Sequence, residues 1–128
     1  MSKKEKSIEL LNKAVSDELL AVNQYMYFHF RCDDYGYDLL SNLFKRTAIH
    51  EMLHVERLAE RILFLKGEVE MTPSGSVEKI HCVKEMLKKA AEIISTEVSH
   101  HIQHTPGHTV TPAQAQQIVE TVKQKVSE

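Results

Sequence analysis

Apolar residues recur at intervals of three and four along most of this chain. Ile8, Leu11, Val15, Leu19, Val22 and Met26 trace one face through residues 5–33, which predicts an amphipathic helix. Asp33-Asp34-Tyr35-Gly36 stops it, with Gly36 suited to the left-handed conformation that ends a helix. A second helix is expected from about 38 to 66, closed by Gly67, and so short a link makes the two antiparallel neighbours. This second helix is apolar nearly all round. One stripe is Leu40, Leu43, Thr47, Glu51, His54, Leu58, Ile62 and Leu65; another is Ala48, Ile49, Met52, Val55, Ala59 and Leu63. Burial on one side needs a single stripe, so the second stripe predicts a subunit interface. Residues 67–75 form a polar connection with Pro73 and Gly75. A third helix is expected to start near Ser76 and to run through Ile80, Val83, Leu87, Ala90, Ile94 and Val98 to His104. Thr105-Pro106-Gly107 breaks it, and Thr111 with Pro112 opens a short fourth helix to about Val126. The expectation is an all-α bundle spanning residues 1–128 as one domain, with two long antiparallel helices, a third and a short fourth.

Composition narrows the class. Sixteen Lys and Arg against eighteen Asp and Glu leave a net charge of −2, without the basic excess of a nucleic-acid binder. Four Gly, three Pro and no Trp are few for a sheet protein, which needs frequent turns. No apolar run reaches the ~18 residues of a membrane span, and MSKKEKS does not lead into an apolar signal core. A cytoplasmic location is the expectation. Cys32 and Cys82 read as reduced thiols, with a bridge between them as the alternative.

Candidate chemistry lies on the apolar faces. Glu18 falls between Val15 and Val22 in the stripe of the first helix, and Glu51 and His54 fall in a stripe of the second. A carboxylate in an apolar seam costs several kcal/mol unless it is paired or metal-bound. An i, i+3 Glu-x-x-His turns both donors toward one spot. One Glu from each of two helices and a Glu-x-x-His from each of two others is the ligand pattern of ferritin-like di-iron bundles. A second Glu-x-x-His occurs at Glu97 and His100, again on an apolar stripe. The alternative is a buried ion-pair network joining Glu18, Glu51 and His54 to Arg46, Arg57 or Lys13.

The chain resembles bacterioferritin over roughly residues 8–91. LNKAVSDELLAVNQYMYFHF is similar to that family's first helix, with Glu18 at the ligand position and Tyr25 as its core tyrosine. HEMLHVERLAERILFLKG is similar to the second helix, and VKEML at 83–87 to the opening of the third. EIISTEVSH at 92–100 resembles the fourth-helix ligand segment, with Glu97 and His100 on the family's Glu-x-x-His. Ile94 stands where the third helix of the family offers a bridging Glu, and about 30 residues of the last two helices have no counterpart.

The resemblance implies metal ligands at Glu18, Glu51, His54, Glu97 and His100, with Glu18, Glu51 and His54 as the catalytic set. It implies iron binding and oxidation of Fe(II) by oxygen or peroxide, as a ferroxidase serving storage or detoxification. It also implies haem b, with Met52 as axial ligand across a two-fold axis and Leu19, Val22, Asn23, Met26 and Ile49 flanking the porphyrin. Assembly is expected to be a homo-oligomer, at least a dimer, with a 24-subunit cage as the family's form. The rival is a non-catalytic haem- or metal-binding helical dimer with an incomplete di-iron site. Glu97, His100, His101 and His104 share a helical face that could bind a metal, or His101, His104 and His108 are solvated helix-end residues; His29, His50 and His81 are read as structural.

Overall fold

In a computed structural model, residues 2–104 are described, with side chains as far as residue 95. All regular structure among them is helical: α1 (Lys3–Asp34), α2 (Asp38–Phe64) and α3 (Val83–His104). The expected short fourth helix, at 111–126, lies outside the described residues. The chain divides into two compact units, Met1–Lys79 and Ile80–Glu128.

The first unit is built on an α1–α2 hairpin. Ser2 caps α1, its Oγ accepting the Glu5 N–H at 3.1 Å. Gly36, at φ +80, makes the turn as the sequence predicts. The helices are antiparallel, and their buried residues meet in order along the pair. Phe44 stacks on Tyr25 and tilts against Phe28, with ring centroids at 6.2 and 5.3 Å. Further along, Val15, Val55 and Ile62 cluster with Ile8, Leu11, Leu19 and Leu58. At the turn end, His29 Nδ1 donates to the Ser41 carbonyl at 2.9 Å, and Ser41 Oγ donates to the His29 carbonyl at 3.2 Å.

The second stripe of α2 divides. Ala48 and Val55 are core residues, while Ile49, Met52 and Leu63 are exposed at 42%, 51% and 59%. The end of α2 also differs from expectation. Lys66, at φ 65, takes the left-handed position, and Gly67 follows with its N–H on the Ile62 carbonyl at 2.9 Å. Gly67 answers a different need, since a Cβ there would lie 2.8 Å from Ile8 Cγ2.

From Gly67 the chain does not re-enter a helix near Ser76, as the apolar spacing predicts, but runs as a strap along α1. Asn12 Nδ2 donates to the Glu68 carbonyl and its Oδ1 accepts the Glu70 N–H, at 2.9 and 3.0 Å. Ser74 N–H reaches the Ser16 carbonyl at 3.0 Å. Gln24, fully buried, repeats the two-way pairing with Glu78 at 3.0 and 2.8 Å. Lys79 Nζ then sits over the Tyr27 ring, 4.8 Å from its centroid. Each side-chain amide does for the strap what a neighbouring strand's peptide would do. This explains why Val77 and Ile80, though at helical spacing, are not helical. In the second unit, α3 begins where the VKEML segment does, its first turn closed by Met86 N–H on the Cys82 carbonyl at 3.0 Å. Cys32 is buried, Cys82 is exposed, and both are free.

Candidate metal centre

Halfway along the hairpin, helical geometry brings three donors to one place. Glu18 projects from α1 between Val15 and Val22, and Glu51 and His54 project from successive turns of α2. One ligand atom from each lies within 4.8 Å of the others. His54 Nδ1 stands 3.6 Å from Glu51 Oε2 and 3.8 Å from Glu18 Oε2. The carboxylates are sealed, with side-chain exposures of 6% and 16%, whereas the imidazole is 47% exposed. The site therefore has a buried acidic floor and an open histidine rim.

The electrostatics are those of two acids crowded together out of water, which a cation would relieve. Burial, then a hydrogen bond with Glu51 and that residue's charge, push the Glu18 pKa from 4.5 up to about 9. Glu18 Oε2 is shielded from solvent and receives no hydrogen bond, with His54 Nδ1 too distant to give one. Two carboxylates and an imidazole suit a divalent first-row metal. Donors about 2.1 Å from one ion are separated by at most about 4.2 Å, and both distances from His54 fit that limit. Arg46, Arg57 and Lys13, the cations of the ion-pair alternative, are exposed.

Other expected site residues are placed differently. Met52 lies about 160° round α2 from His54, on the exposed apolar side with Ile49 and Leu63. Of the residues expected to flank it, Val22 is buried, Leu19 and Met26 are half-buried, and Asn23 is exposed. Tyr25 is buried beside Phe44. Glu97 and His100 fall on the backbone of α3, but their side chains lie outside the described residues, as do His101 and His104; His108 lies beyond them. Asn12 and Gln24, which fix the strap, carry no motif or spacing in the sequence that marks them, because their partners lie 54–58 positions away.

A helical hairpin carrying Glu on one member and Glu-x-x-His on the other is half of the ligand pattern of ferritin-like di-iron bundles. The model of the ferritin-like domain matches residues 8–104, and the chain belongs to that family. Within it the similarity is to bacterioferritins. That of Desulfovibrio desulfuricans is 47% identical over 75 residues, which cover 59% of this chain and 42% of the relative. That of Brucella melitensis is 38% identical over 84 residues, covering 65% and 52%. The chain thus spans about half the length of these relatives. An X-ray structure of the Desulfovibrio desulfuricans bacterioferritin, describing its diiron site in different catalytic states, matches with a TM-score of 0.75 at 33% identity. The match covers 97% of this chain and 75% of that one.

Proposed function

We propose that the chain binds iron and oxidises Fe(II), as a bacterioferritin-like ferroxidase serving storage or detoxification. The convergence of Glu18, Glu51 and His54 within 4.8 Å carries this reading. Fe(II) is the substrate, and each ion gives up one electron to oxygen or peroxide. Glu18 holds a proton in the metal-free site and releases it as the cation arrives, so binding exchanges one positive charge for another. Glu51, anchored on the core side of α2, fixes the inner position, and the exposed His54 supplies the nitrogen donor at the rim. Glu97 and His100 are proposed as a second metal-binding pair on α3, within a single ferritin-like domain that spans both units. The chain is proposed to act as a homo-oligomer in the cytoplasm; no helix among the described residues is long and apolar enough to cross a membrane.

Anaerobic titration with Fe(II), followed by admission of air, tests the reading. Growth of Fe(III) absorbance that H54A and E18A abolish is the expected outcome, and no binding overturns it. A second reading, a haem-binding dimer, is favoured by the exposed Met52 with Ile49 and Leu63 around it. It predicts a Soret band on reconstitution that M52L changes or removes.

A further inference from the structure

Glu18 stands at the midpoint of a stretch of α1 that the strap grips from the other side. Asn12 and Gln24 are each six positions from it. Asn12 pairs with the Glu68 carbonyl and the Glu70 N–H, and Gln24 with both peptide groups of Glu78, at 2.8 to 3.0 Å. Between them the Ser16 carbonyl accepts the Ser74 N–H at 3.0 Å. Six positions are about 9 Å along a helix and about 120° round it, and two positions are about 160° round it. All three anchors therefore lie on the side of α1 away from Glu18, two of them flanking it at equal distance. The strap is also tied to α2. It leaves that helix at Gly67, against Ile8, and its Val69 packs on the Val15, Val55 and Ile62 cluster. Around Glu18, α1 thus runs between α2 in front and the strap behind.

The three donors leave little slack. Atoms about 2.1 Å from one ion are at most about 4.2 Å apart, and His54 Nδ1 already stands 3.8 Å from Glu18 Oε2. Such a constellation works only if its members are held to about 0.5 Å. The α1–α2 contact is apolar toward the turn, at Tyr25, Phe28 and Phe44, and toward the far end, at Ile8, Leu11 and Ile62. At Glu18 it instead encloses two carboxylates, whose desolvation is relieved if α1 moves outward and admits water. The helix pair alone therefore resists that movement least where the ligands are. We propose that the strap is a brace for the metal site, with Asn12 and Gln24 as positioning residues that keep Glu18 within reach of an ion on Glu51 and His54. This rests on the reading of that cluster as a metal site. Coupling of this kind is reciprocal, so bound metal should also steady the strap.

The test uses the full chain with Mn(II) as an oxygen-tolerant probe, in wild type and in Q24A, N12A, S41A and H54A variants. H54A should abolish binding and so identify the cluster as the site. S41A is the control, since it deletes a buried hydrogen bond between the helices, to the His29 carbonyl, and leaves the strap's bonds in place. Mn(II) affinity should fall about tenfold in Q24A, by less in N12A, and not in S41A. The electron paramagnetic resonance spectrum of the bound ion reads donor geometry and should change in Q24A while S41A keeps the wild-type signal. In wild type, saturating Mn(II) should slow hydrogen exchange at the Glu70, Ser74 and Glu78 amides, a measurement that does not depend on any variant folding. Exchange at these amides unaltered by Mn(II) overturns the brace, because the strap then opens without disturbing the ion. Affinities in Q24A and N12A equal to that of S41A overturn it too, and either result leaves the metal site standing. Absence of Mn(II) binding in wild type, or binding that H54A leaves intact, defeats the metal reading and the brace with it.

Discussion

At the residue scale, the chemistry rests on carboxylates placed where water is scarce. Folding lifts the Glu18 pKa from 4.5 to about 9, so between these values the folded chain binds more protons at this residue than the unfolded chain. The group's contribution to metal-free stability is fully present below about pH 4.5 and is lost as pH rises toward about 9. Thermal melts of the metal-free protein at pH 6 and at pH 8.5 should show this as a fall in Tm, flattened in E18Q. Metal affinity should carry the opposite slope, rising with pH as the displaced proton leaves more easily, and calorimetry in buffers of different ionisation enthalpy should detect its release. These three residues were legible in the sequence because each interrupts an apolar stripe, where an uncompensated charge is expensive. Their relative exposure was not legible, since i, i+3 spacing fixes a face and says nothing of what covers it. Glu97 and His100 repeat that spacing on α3, with side chains outside the described residues.

At the element scale, the hairpin follows from periodicity and the strap does not. Both helices and the Gly36 turn stand close to where apolar spacing and turn chemistry put them. The onset of α3 was misplaced by seven residues because Val77 and Ile80 continue a helical rhythm while Gln24 takes the Glu78 peptide for itself. Competition by a distant side-chain amide leaves no local trace. Removing it should be costly: Q24A deletes two part-buried hydrogen bonds and should destabilise by about 2–4 kcal/mol, read from urea unfolding. N12A, whose bonds are exposed, should cost less, about 1 kcal/mol. G67A should cost about 1–3 kcal/mol through its contact with Ile8, and I8A in the same chain should relieve part of that penalty. A G67A penalty unchanged by I8A would instead place the strain in the backbone.

At the scale of the whole molecule, α2 presents different chemistry on opposite sides. One side has the half-exposed imidazole above two buried carboxylates, and the other has Ile49, Met52 and Leu63 open to solvent. The two sides should separate by mutation. M52E should weaken association through the apolar side while leaving Mn(II) binding at the cluster in place, as seen by sedimentation without metal and metal analysis after dialysis. The strap has a consequence for how the chain reaches this form. Its bonds join residues separated by 56, 58, 54 and 54 positions, so it advances along α1 at a nearly constant offset. Closing a loop of that length costs entropy once, and each later bond extends a loop already closed. The hairpin can close outward from its turn, from Tyr25 and Phe28 on Phe44 to Ile8 beside Ile62, and so brings Gly67 against Ile8, from which end the strap can follow as a zipper. Native-state hydrogen exchange should then show the Glu70, Ser74 and Glu78 amides opening together, at a free energy below that of the α1–α2 core.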